Sequence, residues 1–124
     1  MRKIEFLKEP ITYFNENEYV AYISRVEGED KLFDELRELL KFPDYFGDNW
    51  NALSDCLRDF SWIDKKGIVL VHLEIPKLSE VKLRTYIEVL FDSVQDWKEG
   101  EEHYLKVIFP EETEQSIKEI LNFQ

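Results

Sequence analysis

Cysteine is nearly absent from this sequence, since Cys56 is the only one in 124 residues. A lone cysteine cannot pair within the chain, which excludes a disulfide-stabilised scaffold and favours a reducing compartment. Long apolar runs are also missing, because no stretch approaches the roughly 20 residues of a membrane span. Residues 1–10 interrupt their apolar positions with charges, unlike a signal peptide. We therefore expect a cytoplasmic protein that has no membrane partner.

Positive charge is scarce, with 16 lysines and arginines against 27 aspartates and glutamates, for a net charge of −11. Attraction to nucleic acid needs the opposite sign, so we expect no nucleic-acid partner. Four glycines and four prolines form no linker, whereas 44% of the residues are hydrophobic and 15% are aromatic. That apolar content is too high for a chain kept disordered by its charge. The sequence therefore predicts one folded domain over residues 1–124.

Strand-like and helix-like segments alternate along the chain. The predicted strands are 19–26, 68–73 and 104–109, and the predicted helices are 31–41, a segment from Asp48 or Asn49 to Phe60, 79–98 and 111–122. Such alternation predicts a small α/β fold with a three-stranded parallel sheet and right-handed crossovers. Residues 1–14 fit either an extra strand or a packed arm.

Individual residues refine this prediction. Asp30 is expected to cap the first helix, and Gly47 to supply a turn that needs a positive φ. His72 lies within an apolar strand and is expected in the core, whereas His103 is expected to be exposed. Trp62 suits either the core or a binding surface.

The segment 42–60 combines aromatic residues with four aspartates and one arginine. The predicted core stripe of its helix is Trp50, Leu53, Cys56, Leu57 and Phe60. With that stripe buried, the other positions of the segment include Asn51, Ser54, Asp55 and Asp59. Asp55 and Asp59 are four residues apart and repel each other slightly, so helix stability does not explain them. A basic partner explains them, and an acidic excess that serves only solubility is the alternative.

The same segment resembles a known family signature. Residues 42–57 read FPDYFGDNWNALSDCL, with a proline, an acidic residue, paired aromatics, glycine, an acidic residue and asparagine before an Ala-Leu helix with Asp-Cys-Leu. This pattern resembles the barstar family, intracellular inhibitors of the ribonuclease barnase. The order of elements from Tyr19 to Phe109 is similar to that family too. The resemblance implies a barstar-like fold, with a longer N-terminal arm and an extra C-terminal helix as additions.

The resemblance also implies roles for individual residues. In that family, the loop and helix fill the ribonuclease active site, and the helix aspartate occupies the position of a substrate phosphate. Asp55 corresponds to that aspartate, Tyr45 to the residue that covers the mouth of the active site, and Asn49 to a source of polar contacts. Asn51 stands where the family has an acidic residue, and Ser54 where it has a tryptophan. These two departures imply a cognate toxin other than barnase.

The implied interface extends beyond these residues. Asp59 is expected to join it as a second exposed carboxylate, and an acidic residue of a later helix, Asp92 or Asp96, is a further candidate. The predicted function is inhibition of a cognate basic ribonuclease toxin by a protein that is a monomer when free and has no catalytic activity, cofactor or metal. The alternative is a small enzyme or regulatory protein-binding module of the same fold with a non-ribonuclease partner.

Two chemical alternatives compete for the aspartates of this segment. Asp44, Asp48 and Asp55 are possible cation ligands, but Phe46 sits where an EF-hand needs a ligand, and Gly47 is fourth rather than sixth. The same carboxylates supply acid and base groups for hydrolysis. However, the segment contains no nucleophile beside a base, so binding explains it better than catalysis.

Overall fold

A computed structural model describes residues 3–122 of the chain, so the predictions for residues 1–2 lie outside the described part. The strands are β1 (Ile4–Leu7), β2 (Glu18–Ile23), β3 (Gly67–His72) and β4 (Tyr104–Pro110). The α-helices are α1 (Glu29–Leu40), α2 (Trp50–Leu57), α3 (Glu80–Asp96) and α4 (Glu114–Ile120), and short 3-10 helices occupy Pro10–Thr12 and Glu111–Thr113. The predicted α/β class is confirmed.

The sheet has four parallel strands in the order β1-β4-β3-β2, so the prediction of three strands is wrong by one. The additional strand is β1, within the segment that fitted either a strand or an arm. It pairs from Ile4 opposite Val107 to Leu7 opposite Pro110, and the Phe6 and Phe109 rings stack 5.9 Å apart. Four residues that include a glutamate are too short to show a strand period, which explains the miss.

Both faces of the sheet are covered, by different parts of the chain. The helical side holds the larger core, in which helix residues such as Leu36, Leu53 and Leu90 pack with strand residues such as Leu70. On the other side, Val69, Val71 and Ile108 pack against residues that include Tyr13, which lies just after the 3-10 helix Pro10–Thr12. All six residues of β3 are consequently buried, as its continuous apolar run predicts.

The helix boundaries confirm some caps and correct others. Asn49 caps α2, because its side chain accepts a hydrogen bond from the Ala52 amide at 2.8 Å. The expectation for Asp30 is wrong: the cap of α1 is Gly28, and Asp30 lies in the first turn, where its charge suits the helix dipole. The expectation for Gly47 is also wrong, since the positive φ of that loop belongs to Asp48, at 52°.

The C-terminal helix is shorter than predicted. Residues 111–113 form a 3-10 turn, in which the Thr113 hydroxyl donates to the Pro110 carbonyl at 2.7 Å. The α-helix therefore begins only at Glu114, and it ends before Asn122, which has a left-handed φ of 59°. Arg84 of α3 donates to the Ile120 carbonyl at 2.9 Å, which attaches the end of α4 to the domain.

The two histidines are both buried, which confirms the expectation for His72 and contradicts the one for His103. His72 Nδ1 lies 3.1 Å from the Ile108 carbonyl, which can only accept, so Nδ1 carries the proton and Nε2 accepts from the Tyr86 hydroxyl at 2.7 Å. Burial lowers the pKa of His72 to about 4, against a smaller opposing effect of the Ile108 hydrogen bond. His103 is covered because its ring packs between Phe60 and Trp97.

Trp62 belongs with the core. Its indole donates to the Leu40 carbonyl at 2.9 Å, and its ring packs against Phe42 and Phe60. Trp62 thus links the end of α1 to the segment after α2. No helix in the described part of the chain is long and apolar enough to cross a bilayer.

Candidate functional site

The loop between α1 and α2 is anchored at both ends. At its start, Phe42 is buried and its ring lies 4.8 Å from that of Phe46, which is also buried. The Phe46 amide donates to the Pro43 carbonyl at 3.0 Å, which closes a tight turn. Because two aromatic rings and a proline hold this turn, Tyr45 between them is presented to solvent with 67% of its surface exposed.

Arg37 of α1 makes a second anchor for this loop. Its guanidinium bonds to the carboxylate of Asp48 and lies over the Phe46 ring, 5.3 Å from the ring centre. The sequence pattern contains no sign of this contact, because Arg37 and Asp48 are 11 residues apart and belong to different elements. Asp48 therefore has an ion-pair partner within the protein, although its side chain remains exposed.

Helix α2 buries one face and presents the other. Leu53, Cys56 and Leu57 are buried, as their helical spacing predicts, and Trp50 is half-buried with its ring 4.8 Å from Phe33. On the opposite side, Asn51 and Asp55 are exposed and Ser54 is half-buried. The predicted stripe is thus confirmed from Trp50 to Leu57. Phe60 is buried as predicted, but it lies beyond the end of α2 and has a left-handed φ of 54°, so the helix is shorter than expected.

Tyr45 and Asp59 meet on this surface. The Tyr45 hydroxyl donates to Asp59 Oδ2 at 3.1 Å, while Asp59 Oδ1 accepts from the Ser61 amide at 3.2 Å. Partial desolvation, followed by the hydrogen bond to Asp59, raises the pKa of Tyr45, so its hydroxyl remains protonated at neutral pH. The hydrogen bond from Tyr45 to Asp59 therefore orients the tyrosine ring.

Asp55 differs from its neighbouring aspartates. Within residues 3–122, its carboxylate makes no hydrogen bond or ion pair, although Asp48 and Asp59 both do. Its charge contributes to the raised pKa values of Tyr45 and Cys56, which places it close to both groups. Asp55 is thus an uncompensated carboxylate beside an exposed aromatic ring.

The later helix contributes an acidic residue next to this surface. Arg58, just after α2, bonds through Nε to Asp96 Oδ2 at 3.0 Å, which joins the ends of α2 and α3. Asp92 is exposed, one turn earlier on α3. The structure therefore brings Tyr45, Asp55 and Asp59 together on one surface. Asn51 and Ser54 lie on the same helix as Asp55. Asn49 caps that helix, and Asp96 forms an ion pair within the protein.

The titratable groups at this surface are carboxylates, a tyrosine hydroxyl and a cysteine thiol. Burial, then the charges of Asp59 and Asp55, raise the pKa of Cys56 to about 11, so this buried cysteine remains a thiol and is not a nucleophile. Across residues 3–122, no three histidine, cysteine, aspartate or glutamate side chains are grouped to hold a metal ion. In particular, Asp44, Asp48 and Asp55 do not converge on a common cation position.

Comparisons with known proteins agree with this description. The family model described as Barstar (barnase inhibitor) matches residues 18–109. A Bacillus subtilis (strain 168) protein described as "Putative ribonuclease inhibitor YrdF" is 34% identical over 83 residues, which is 66% of this chain and 86% of that protein. The search of solved structures finds no significant match. The match to the family model covers most of the chain, including the loop and α2, and the chain belongs to the barstar family.

Proposed function

We propose that this protein inhibits a ribonuclease by placing the loop 42–49 and the exposed face of α2 over the active site of the enzyme. The observation that carries the proposal is the uncompensated carboxylate of Asp55 beside the exposed ring of Tyr45. A ribonuclease holds its substrate phosphate with cationic side chains, and a carboxylate fixed on a helix offers those groups an equivalent anion.

Each surface residue has a distinct part in this proposal. Asp55 faces the cations of the enzyme, and the Tyr45 ring covers the rim of the active site. Asp59 orients that ring through the hydrogen bond of 3.1 Å. Asn51 and Ser54 add neutral hydrogen-bonding groups on the same helix. Asn49 acts indirectly, since its cap sets where α2 begins.

The charge balance supports a basic enzyme as the target. The net charge of −11 favours rapid encounter with a positively charged partner. The neutral Asn51 and small Ser54 leave this surface with one fewer charge and one fewer large ring than the family pattern implies. We therefore propose a cytoplasmic immunity role against a cognate basic toxin other than barnase, with the free inhibitor as a monomer.

The test is an RNA-cleavage assay on a basic ribonuclease encoded beside this protein, with equimolar inhibitor. The proposal expects cleavage to fall to background, with inhibition weakened as ionic strength rises. Size-exclusion chromatography of the mixture then shows a one-to-one complex. Undiminished cleavage together with no complex would remove that enzyme as the target. A complex that leaves cleavage unchanged would contradict inhibition at the active site and favour a regulatory binding module.

A further inference from the structure

A cavity of about 420 Å³ lies at the amino ends of β3 and β4, beside the C-terminal end of α3. Three lysines from distant parts of the chain line it: Lys3 before β1, Lys66 before β3 and Lys98 after α3. Glu99 is the one acidic side chain in the lining that the structure describes. None of these residues belongs to the proposed ribonuclease-binding surface, so this cavity raises a separate question about function.

The positive lining contrasts with the rest of the molecule. The protein has a net charge of −11, and carboxylates pair with several cations elsewhere, including Arg37, Arg58 and Lys82. Lys66 and Lys98 have no such ion pair with any carboxylate in the described range 3–122. In a chain with so many acidic groups, three lysines that line one cavity favour an external anion.

The segments that carry the three lysines make defined contacts within the protein. His103 Nδ1 lies 3.0 Å from the Lys65 carbonyl and 3.2 Å from the Lys66 carbonyl, so it donates to the turn that carries Lys66. Lys98 Nζ donates to the Gln95 carbonyl at 3.1 Å. Lys3 Nζ lies 4.1 Å from the centre of the Tyr104 ring. Contacts within the fold therefore position the backbone at Lys66 and the ammonium groups of Lys98 and Lys3.

We propose that this cavity binds a phosphate group, either free or on a small phosphorylated molecule. Lysine ammonium groups act as point charges and suit a compact anion of high charge, such as phosphate, and the lining residues that the structure describes include no arginine. The cavity volume lies within the range of small-molecule sites. The acidic residues nearby, Glu101 and Glu102, and the overall charge repel a long polyanion such as RNA.

Two negative groups at the cavity oppose the lysines and lower the expected affinity for an anion. Glu99 and the negative end of the α3 dipole both disfavour an anion. Affinity for phosphate is therefore expected to respond to each charge in the lining, in opposite directions for the lysines and for Glu99. Weaker binding after loss of a lysine charge, together with stronger binding after loss of the Glu99 charge, distinguishes a phosphate site from general attraction to a lysine-rich surface.

The experiment is an NMR titration of the full chain with inorganic phosphate, adenosine monophosphate, adenosine and a short single-stranded RNA. Both phosphate-bearing small ligands are expected to shift the amide signals of Gly100, His103 and Tyr104 in a saturable way, whereas adenosine leaves them unchanged. Tighter binding of the nucleotide assigns the ligand to phosphorylated molecules, and equal binding assigns it to the phosphate group alone. Absence of any saturable shift, or tighter binding of RNA than of the nucleotide, overturns the proposal.

Charge variants make the test specific to the cavity. Lys66→Gln combined with Lys98→Gln is expected to weaken phosphate binding roughly tenfold or more, and Glu99→Gln to strengthen it about two- to fivefold. Lys31→Gln, on the exposed side of α1, is the matched control and should change affinity less than about twofold. Equal losses from the pocket and control variants would show that attraction is nonspecific. Unchanged thermal unfolding midpoints establish that all variants remain folded.

Discussion

Tyrosine hydroxyls donate to carboxylates in two regions of this protein, one inside it and one on its surface. Inside, both Tyr13 and Tyr104 donate to Glu18, whose residue is only 6% exposed. On the surface, Tyr45 donates to Asp59 while two-thirds of the Tyr45 residue remains exposed. The chemical groups are the same, but water competes for the second pair and hardly reaches the first.

A glycine makes the inner arrangement possible. Glu18, Gly67 and Tyr104 are register partners across β2, β3 and β4. A Cβ on Gly67 would lie 2.4 Å from the Tyr104 hydroxyl oxygen, so the missing side chain lets Tyr104 cross to Glu18. Burial, then the hydrogen bond to Glu18, raise the pKa of Tyr104 to about 12. The inner group therefore stabilises the fold, whereas the outer one orients a ring that a partner can contact.

The largest expected effect separates binding from stability at Asp55. Asp55→Ala is expected to weaken the complex with a ribonuclease that the protein inhibits by about 2–5 kcal/mol, because it leaves cations of the enzyme unpaired. Its unfolding free energy should change by less than about 0.5 kcal/mol, since the carboxylate is exposed and has no partner among residues 3–122. Inhibition assays and urea unfolding measure the two quantities.

The control for Asp55 is Glu88→Ala, which removes an exposed carboxylate from the middle of α3. It is expected to alter binding by less than about 1 kcal/mol, through long-range charge alone. Equal losses of affinity from the two variants would contradict the placement of the interface on α2.

The next effect should appear in stability. Glu18→Ala is expected to lower the unfolding free energy by about 3 kcal/mol, because two tyrosine hydroxyls lose their acceptor in a buried setting. Urea unfolding measures this loss, and Glu16→Ala, two residues earlier and exposed, is the matched control. If both variants cost the same, the inner tyrosine–carboxylate group has no special part in the fold. Inhibition by the folded Glu18→Ala protein should remain as in the parent.

The buried His72 is expected to make the stability of the protein depend on pH. The pKa of His72 is about 4 in the folded protein, below its ordinary value of 6.5. As the pH falls from 7 to 5, the unfolded chain therefore gains a proton that the folded one does not, and this group costs about 2 kcal/mol of stability. Urea unfolding at both pH values should show this loss in the parent and not in His72→Gln.

If His72→Gln does not fold, an NMR titration of the parent protein tests the same cause directly. In the parent protein, the His72 ring signals in an NMR titration should remain those of the neutral imidazole down to about pH 5. Protonation of His72 near pH 6.5 in the folded state would contradict the assigned cause of the pH dependence.

The smallest expected effect belongs to the surface tyrosine. Tyr45→Phe removes the bond to Asp59 and should reduce affinity for the ribonuclease by about 1 kcal/mol, because the ring loses its fixed orientation. Its effect on stability should be within about 0.5 kcal/mol, as expected for an exposed position. A stability loss as large as that of Glu18→Ala would erase the distinction between the two regions. Competition binding against the parent protein resolves a difference of this size.

Much of the fold and part of the site follow from sequence patterns that act over a few residues. The apolar spacing of Leu53, Cys56 and Leu57 predicts the buried face of α2. The polar side chains of Asp48 and Asn49 predict the start of that helix to within one residue, and Asn49 is the cap. The all-apolar run of β3 likewise predicts a strand covered on both sides. These features were predictable because each depends on the period of one element or on a hydrogen bond within one turn.

Contacts between distant segments were not predictable in the same way. Tyr45 and Asp59 are 14 residues apart, and Arg37 reaches Asp48 from another helix. The exposure of His103 was predicted wrongly because the rings that cover it come from elsewhere in the chain. The role of β1 also depends on β4, which lies about a hundred residues later. Nothing in the local sequence of these residues specifies their partners.

By itself, the sequence determined the alternation of strands and helices, the buried stripe of α2, the excess of negative charge and the motif typical of the family. Local backbone preferences and side-chain periodicity are sufficient for those properties. Only the tertiary structure decided that Asp48, Asp59 and Asp96 are engaged while Asp55 has no partner in the described part of the chain, and that three lysines line one cavity. The reason is that charge compensation depends on which segments the parallel sheet brings together, and that order is not contained in any single stretch of the chain.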